Sequence, residues 1–140
     1  MTNAQIVRDA CQVIWSEGDV SRISEFYGEG FKADYKYTDW GLGLAGIEAL
    51  VVKLRGAFPD YREEINELID AGDKIIVRLT IRGTQSGSFE EIPPTGKTFE
   101  FNDVTICKVE DGKIITQSGL SDYFSFFLQL GLIEMPKMGS

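Results

Sequence analysis

The chain has 140 residues, 14 of them Lys or Arg against 22 Asp or Glu, with no histidine, two cysteines and a formal charge of −8. That length fits one compact domain over residues 1–140, able to hold a pocket as well as a core, and the acidic balance argues against nucleic acid or an anionic membrane as partner. Without histidine or closely spaced cysteines a zinc, copper or non-haem iron site is not expected, so acid/base chemistry falls to a perturbed Asp, Glu, Tyr, Lys or Cys.

In chain order, MTNAQIVRDACQ is too polar for a signal peptide, which points to a cytoplasmic protein. From Thr2 to about Glu17, Ile6, Val7, Ala10, Cys11, Val13 and Ile14 follow a helical period, with Gly18 placed to end the helix. A short second helix is expected over Val20 to Tyr27, then a strand FKADYKY and a glycine-rich stretch TDWGLGLAG. A third helix starts near Gly46, buries Ile47, Leu50, Val51 and Leu54, and stops before Pro59.

The rest reads as strands. YREEINELI alternates over part of its length, AGD turns the chain, and KIIVRLTIRGT is rich in β-branched residues. After the loop SGSFEEIPPTG come TFEFNDVTICKV, a hairpin at EDGK and a last strand KIITQSGLS. A closing helix runs from Tyr123 to Leu130, and PKMGS is a loose tail. Cys11 and Cys107 lie in apolar-periodic segments and read as buried reduced thiols. This order gives an α+β fold with a sheet curled around helices and a cavity between them.

The segments GIEALVVKLRGAFPD, IIVRLTIRGTQSG, IPPTGKT and VEDGKI, with a final strand leading through Asp122 into LQLG, resemble the SnoaL-like polyketide cyclases of the nuclear transport factor 2-like superfamily. The resemblance implies a cone of mostly antiparallel β-sheet wrapped around N-terminal helices, a deep apolar cavity and a homodimer with sheets back to back. It also implies an enzyme without metal or organic cofactor, in which the aspartate at Asp122 is the acid/base catalyst of an aldol ring closure. The family's GTH motif reads GTQ here, so Gln85 stands in the histidine's place; Asp34 or a neighbour, and Leu120, occupy two further histidine positions. Glutamine orients an oxygen but does not shuttle a proton. Relatives of the fold include isomerases, dehydratases, epoxide hydrolases and formaldehyde-releasing lyases of diaryl propanediols. The expected substrate is a small aromatic or polyketide-like molecule; a non-catalytic apolar ligand carrier of the same fold is the alternative.

For Asp122 the alternatives are acid/base catalyst and N-cap of the last helix. Arg78 is a candidate electrophile or a surface salt-bridge partner. It shares a strand face with Thr80 and Arg82, opposite Leu79, Ile81 and Gln85, so Arg78 and Gln85 reach one cavity only if a bulge intervenes near Gly83. Phe31, Ala33, Tyr35 and Tyr37 share one face of FKADYKY, with Asp34 on the other; Tyr37 is a candidate donor to substrate and Asp34 a candidate polar contact. Trp40 reads as a lid or a plug, and Phe124 as apolar wall. Asn102 and Asp103 fall on opposite strand faces, so one of them points inward, either onto substrate or into a buried network.

Overall fold

In the computed structural model, which describes residues 1–36 and 38–138, the Thr2 hydroxyl accepts the Gln5 N–H at 3.1 Å and caps the first helix. That helix, α1 (Asn3–Ala10), buries Ile6, Val7 and Ala10. It widens into a π-helical stretch, Cys11–Ser16, that also turns Cys11, Ile14 and Trp15 inward. Gly18, at φ +73°, ends it as the sequence predicts. The second helix is a 3₁₀ turn, Val20–Arg22, leading into α2 (Ile23–Phe26).

Next come β1 (Tyr27–Tyr35), α3 (Gly43–Ala57), β2 (Arg62–Asp70), β3 (Lys74–Thr84), β4 (Thr98–Glu110), β5 (Lys113–Ser121) and α4 (Tyr123–Gln129). The five strands form one open sheet in the order β1-β5-β4-β3-β2. Only β1 and β5 pair in parallel; the other pairings are antiparallel. Asp111 and Gly112 both adopt positive φ between β4 and β5, as a two-residue hairpin turn requires. α1 lies across β2, β3 and β5, α3 meets β1, and α4 meets β4. The apolar core therefore sits between helices and one sheet face.

Two features of strand register decide what faces that core. β3 and β4 pair without a break from Lys74↔Lys108 to Thr84↔Thr98. No bulge occurs near Gly83, and Arg78 and Gln85 stay on opposite sides. Between β4 and β5 the pairing jumps from Lys108↔Thr116 to Val109↔Ile114, leaving Ile115 as an extra residue. Beyond that bulge Gln117, Gly119 and Ser121 stand opposite Cys107, Thr105 and Asp103 and share their inner face.

Candidate active site

The inner face of β3 and β4, with α1, α3 and α4, encloses a cavity with about 100 Å3 open to the centres of water-sized molecules, and about 890 Å3 between atoms when its mouth is included. That is room for several waters without any rearrangement. Val77, Leu79 and Ile81 of β3 form its floor, and Leu50 and Leu54 of α3 part of its roof. At one end Trp40 stacks on Tyr35 with ring centroids 4.7 Å apart and touches Trp15 at 5.1 Å. At the other, Phe58, Phe99 and Phe126 meet edge to face at 4.8–5.9 Å. These are favourable aromatic geometries.

Into this apolar space β4 delivers Asp103. Its strand alternates strictly, burying Phe99, Phe101, Asp103, Thr105 and Cys107 and exposing the residues between. Asp103 is 5% exposed. Its carboxylate accepts the Thr105 hydroxyl at 2.5 Å and the Ser121 hydroxyl. Burial holds its pKa above the ordinary aspartate value, and the two hydroxyl donors work against that rise by favouring the ionised form. Thr105 Oγ1 also meets the Tyr35 hydroxyl at 3.0 Å, and Gln117 Nε2 donates to that hydroxyl at 3.0 Å. Gly119 makes room for this meeting: a Cβ there would lie 2.9 Å from the Tyr35 ring and 2.5 Å from the Val104 carbonyl oxygen.

A second carboxyl comes from β2. Tyr61, Glu63 and Ile65 fall on the inward phase of that segment. Glu63, half-buried as a residue, lines the cavity and accepts the Tyr61 hydroxyl at 2.9 Å. Desolvation raises its pKa to about 8, against the hydrogen bonds from Tyr61 and Cys11; the charge of Asp103 adds to the rise. The two thiols in the cavity wall are both raised by burial, Cys107 to about 12. Neither is thiolate near neutrality. Among the described residues no group of three or more His, Cys, Asp or Glu side chains is arranged to hold a metal ion.

The residues nominated from sequence mostly stand elsewhere. Asp122 is exposed and caps α4, accepting the Ser125 N–H at 3.0 Å; it is not part of the cavity wall. The alternative of a helix cap describes what its side chain does here. Arg78 lies on the outer sheet face with its side chain 48% exposed, 3.5 Å from Glu67, because the unbroken β3 register turns it away from Val77 and Leu79. Gln85 is fully buried, but its amide holds the following loop: it donates to the Pro93 carbonyl at 3.1 Å and accepts the Thr95 hydroxyl at 2.7 Å. Of the Asn102–Asp103 pair it is Asp103 that faces inward, whereas Asn102 is exposed and its backbone carbonyl accepts the Asp122 N–H at 2.9 Å.

Asp34 is exposed and borders a shallow outer depression beside Trp40. Trp40 does line the cavity, as do Tyr123 and Phe126 of α4, whereas Phe124 points outward at 48% exposure. Tyr37 lies outside the described residues. Glu63 and Gln117 were not anticipated. The spacing of Tyr61, Glu63 and Ile65 carries a signal for Glu63, since it sets a carboxyl in phase with apolar neighbours. Nothing in KIITQSGLS signals Gln117, because the bulge at Ile115 sets its phase.

Residues 5–130 match the sequence pattern of the family described as SnoaL-like polyketide cyclase. Among curated proteins no match is found. Among solved structures, TsrD from Streptomyces laurentii superposes with a TM-score of 0.84 at 22% identity, covering 94% of this chain and 96% of its own. A proposed SnoaL-like polyketide cyclase from Jannaschia sp. gives 0.83 at 22%, covering 94% and 93%. IdmH from Streptomyces antibioticus, also a proposed polyketide cyclase, gives 0.82 at 22%, covering 94% and 99%. At such identities the likeness speaks for the fold.

Proposed function

The chain belongs to the SnoaL-like polyketide cyclase family, and we propose that its cavity performs acid/base chemistry on a small aromatic or polyketide-like carbonyl compound, using side chains alone. The observation that carries this reading is a pair of carboxyls lining one apolar cavity, both raised by burial and each held by hydrogen bonds of its own. Asp103 receives two hydroxyl hydrogen bonds that favour its charge, and Glu63 keeps its proton at neutral pH. In this reading Asp103 is the general base and Glu63, the carboxyl raised to about 8, the general acid. Asp103 takes a proton from carbon beside the substrate carbonyl. Glu63 gives one to the oxygen on which charge develops.

Ring closure or isomerisation by an aldol step, and retro-aldol or dehydrating cleavage as in a lyase, all use these parts. Product analysis separates them. After incubation with polyketide esters and aryl propanediols, an unchanged mass with altered retention means cyclisation or isomerisation, and loss of formaldehyde or water means a lyase. Binding without turnover of any compound, in wild type and in Asp103→Asn alike, would replace the enzyme by a ligand carrier.

A homodimer is part of the same reading. Val104, Ile106 and Leu120 are 40–73% exposed and cluster with Ile69 and Ile76 on the outer sheet face through the cross-strand pairs Val104↔Leu120, Ile76↔Ile106 and Ile69↔Ile76. Such an apolar face suits a second copy of the chain. The two free buried thiols suit a reducing cytoplasm.

A further inference from the structure

One buried polar atom in the cavity wall has no partner among the described residues: the amide oxygen Oε1 of Gln117, in a residue only 8% exposed. An unpaired buried acceptor costs about 1–3 kcal/mol relative to a satisfied one, so its presence in the wall of this cavity asks for an explanation.

The hydrogen-bond chain beside it fixes which end of the amide is free. The Thr105 hydroxyl has one proton and donates it to Asp103 Oδ1 at 2.5 Å. Thr105 Oγ1 therefore accepts from the Tyr35 hydroxyl, 3.0 Å away. With its own proton committed to Thr105, the Tyr35 hydroxyl is an acceptor toward Gln117, whose Nε2 donates at 3.0 Å. The NH2 group is thus tied to Tyr35. With Asp103 ionised, as the base of the proposed reaction is, what Gln117 leaves to the cavity is an acceptor.

We propose that Gln117 is a specificity-determining residue: its free carbonyl oxygen takes a hydrogen bond from an O–H or N–H group on a ring-bearing substrate, selecting hydroxylated compounds over their methyl ethers. The role rests on the cavity being the substrate site, as proposed above, and adds the substrate's donor group to that reading. Because the same amide anchors the Tyr35–Thr105–Asp103 chain, a donor docked on Gln117 lies at the opposite end of that chain from the Asp103 carboxyl. The phenolic or enolic hydroxyl of a polyphenol or polyketide has the required chemistry. A fully alkylated analogue leaves the oxygen unpaired, and a site built to pair a polar group discriminates strongly against a ligand that lacks it.

The test is a pair of probes on the full-length protein, p-cresol and 4-methylanisole, titrated while the indole N–H resonances of Trp15 and Trp40 are followed by NMR. Both tryptophans line the cavity and the chain has no others. Wild type is expected to bind the phenol about tenfold more tightly than the ether. In Gln117→Met, which removes the acceptor at similar volume, the ratio falls to within about twofold and the ether binds no worse than to wild type; Gln117→Leu serves if the Met variant does not fold. Equal binding of the two probes by wild type, a preference for the ether, or a phenol preference surviving in the variant would each overturn the role of Gln117 while leaving the cavity as the ligand site. If neither probe moves either indole signal, the cavity does not take ring-bearing molecules, and the proposed function fails together with this inference.

Discussion

Replacing Glu63 by Gln isolates the electrostatics of the cavity, because the sequence leaves the neutral pH range otherwise empty. The chain has no histidine, and burial lifts both thiols above that range, so no side chain of ordinary pKa titrates between about pH 6 and 8.5. Glu63 does. Its carboxyl rises from 4.5 to about 8 on folding, so over that interval the unfolded chain has released the proton and the folded chain still holds it. With fewer protons bound in the unfolded state, stability falls as pH rises. At about 1.4 kcal/mol per pH unit the whole interval is worth at most about 5 kcal/mol, of which at most about 3 kcal/mol falls between pH 6 and 8.5. Urea unfolding of wild type should lose about 2–3 kcal/mol between those two pH values with an unchanged slope in denaturant. Glu63→Gln should lose much less, and any slope left belongs to Asp103 and, toward pH 8.5, to the two thiols, all of which burial raises. A wild-type stability that is flat or rises over this range would refute the reasoning, as would a variant that falls as steeply as wild type.

Removing the cap in Asp122→Ala should cost about 1 kcal/mol in the same unfolding assay and leave turnover within about twofold of wild type, since its carboxylate bonds the Ser125 N–H outside the cavity wall. Trp40→Ala takes away the ring that stacks on Tyr35 at the cavity end; Cys11 and Cys107, both in the wall, should then react with a small thiol reagent at least about tenfold faster. No acceleration would mean that Trp40 does not control access. Placing Lys at Val104 or Ile106, in the outer apolar cluster, should convert a dimer to a monomer in light scattering at unchanged helix content; a wild type that is already monomeric removes the homodimer.

The order of helices and strands was legible because each element carries its own period: Ile6, Val7 and Ala10 mark α1, and Phe99 to Cys107 alternate through β4. The inward or outward sense of each polar residue was harder to read. Asn102 and Asp103 could be known to oppose one another, but which of them faces inward depends on packing across the whole sheet. Arg78 and Gln85 illustrate the same point. Their phases differ, and only the continuous β3–β4 pairing shows that no bulge reconciles them. Gln117 could not have been found, because the extra residue Ile115 shifts everything after it by one place and exchanges the faces of the strand. Family resemblance pointed to the aspartate at the start of the last helix, where aspartate is also an excellent cap; the cavity supplies two other carboxyls.

The most direct test of the account is turnover of Asp103→Asn beside Asp122→Asn, with wild type as reference and each variant's fold checked by circular dichroism. With any compound that wild type converts, Asp103→Asn should lose at least about a hundredfold in kcat while Asp122→Asn stays near wild type. The reverse pattern, with Asp103→Asn active and Asp122→Asn dead, would contradict the assignment of the chemistry to the buried cavity and return it to the residue that caps α4.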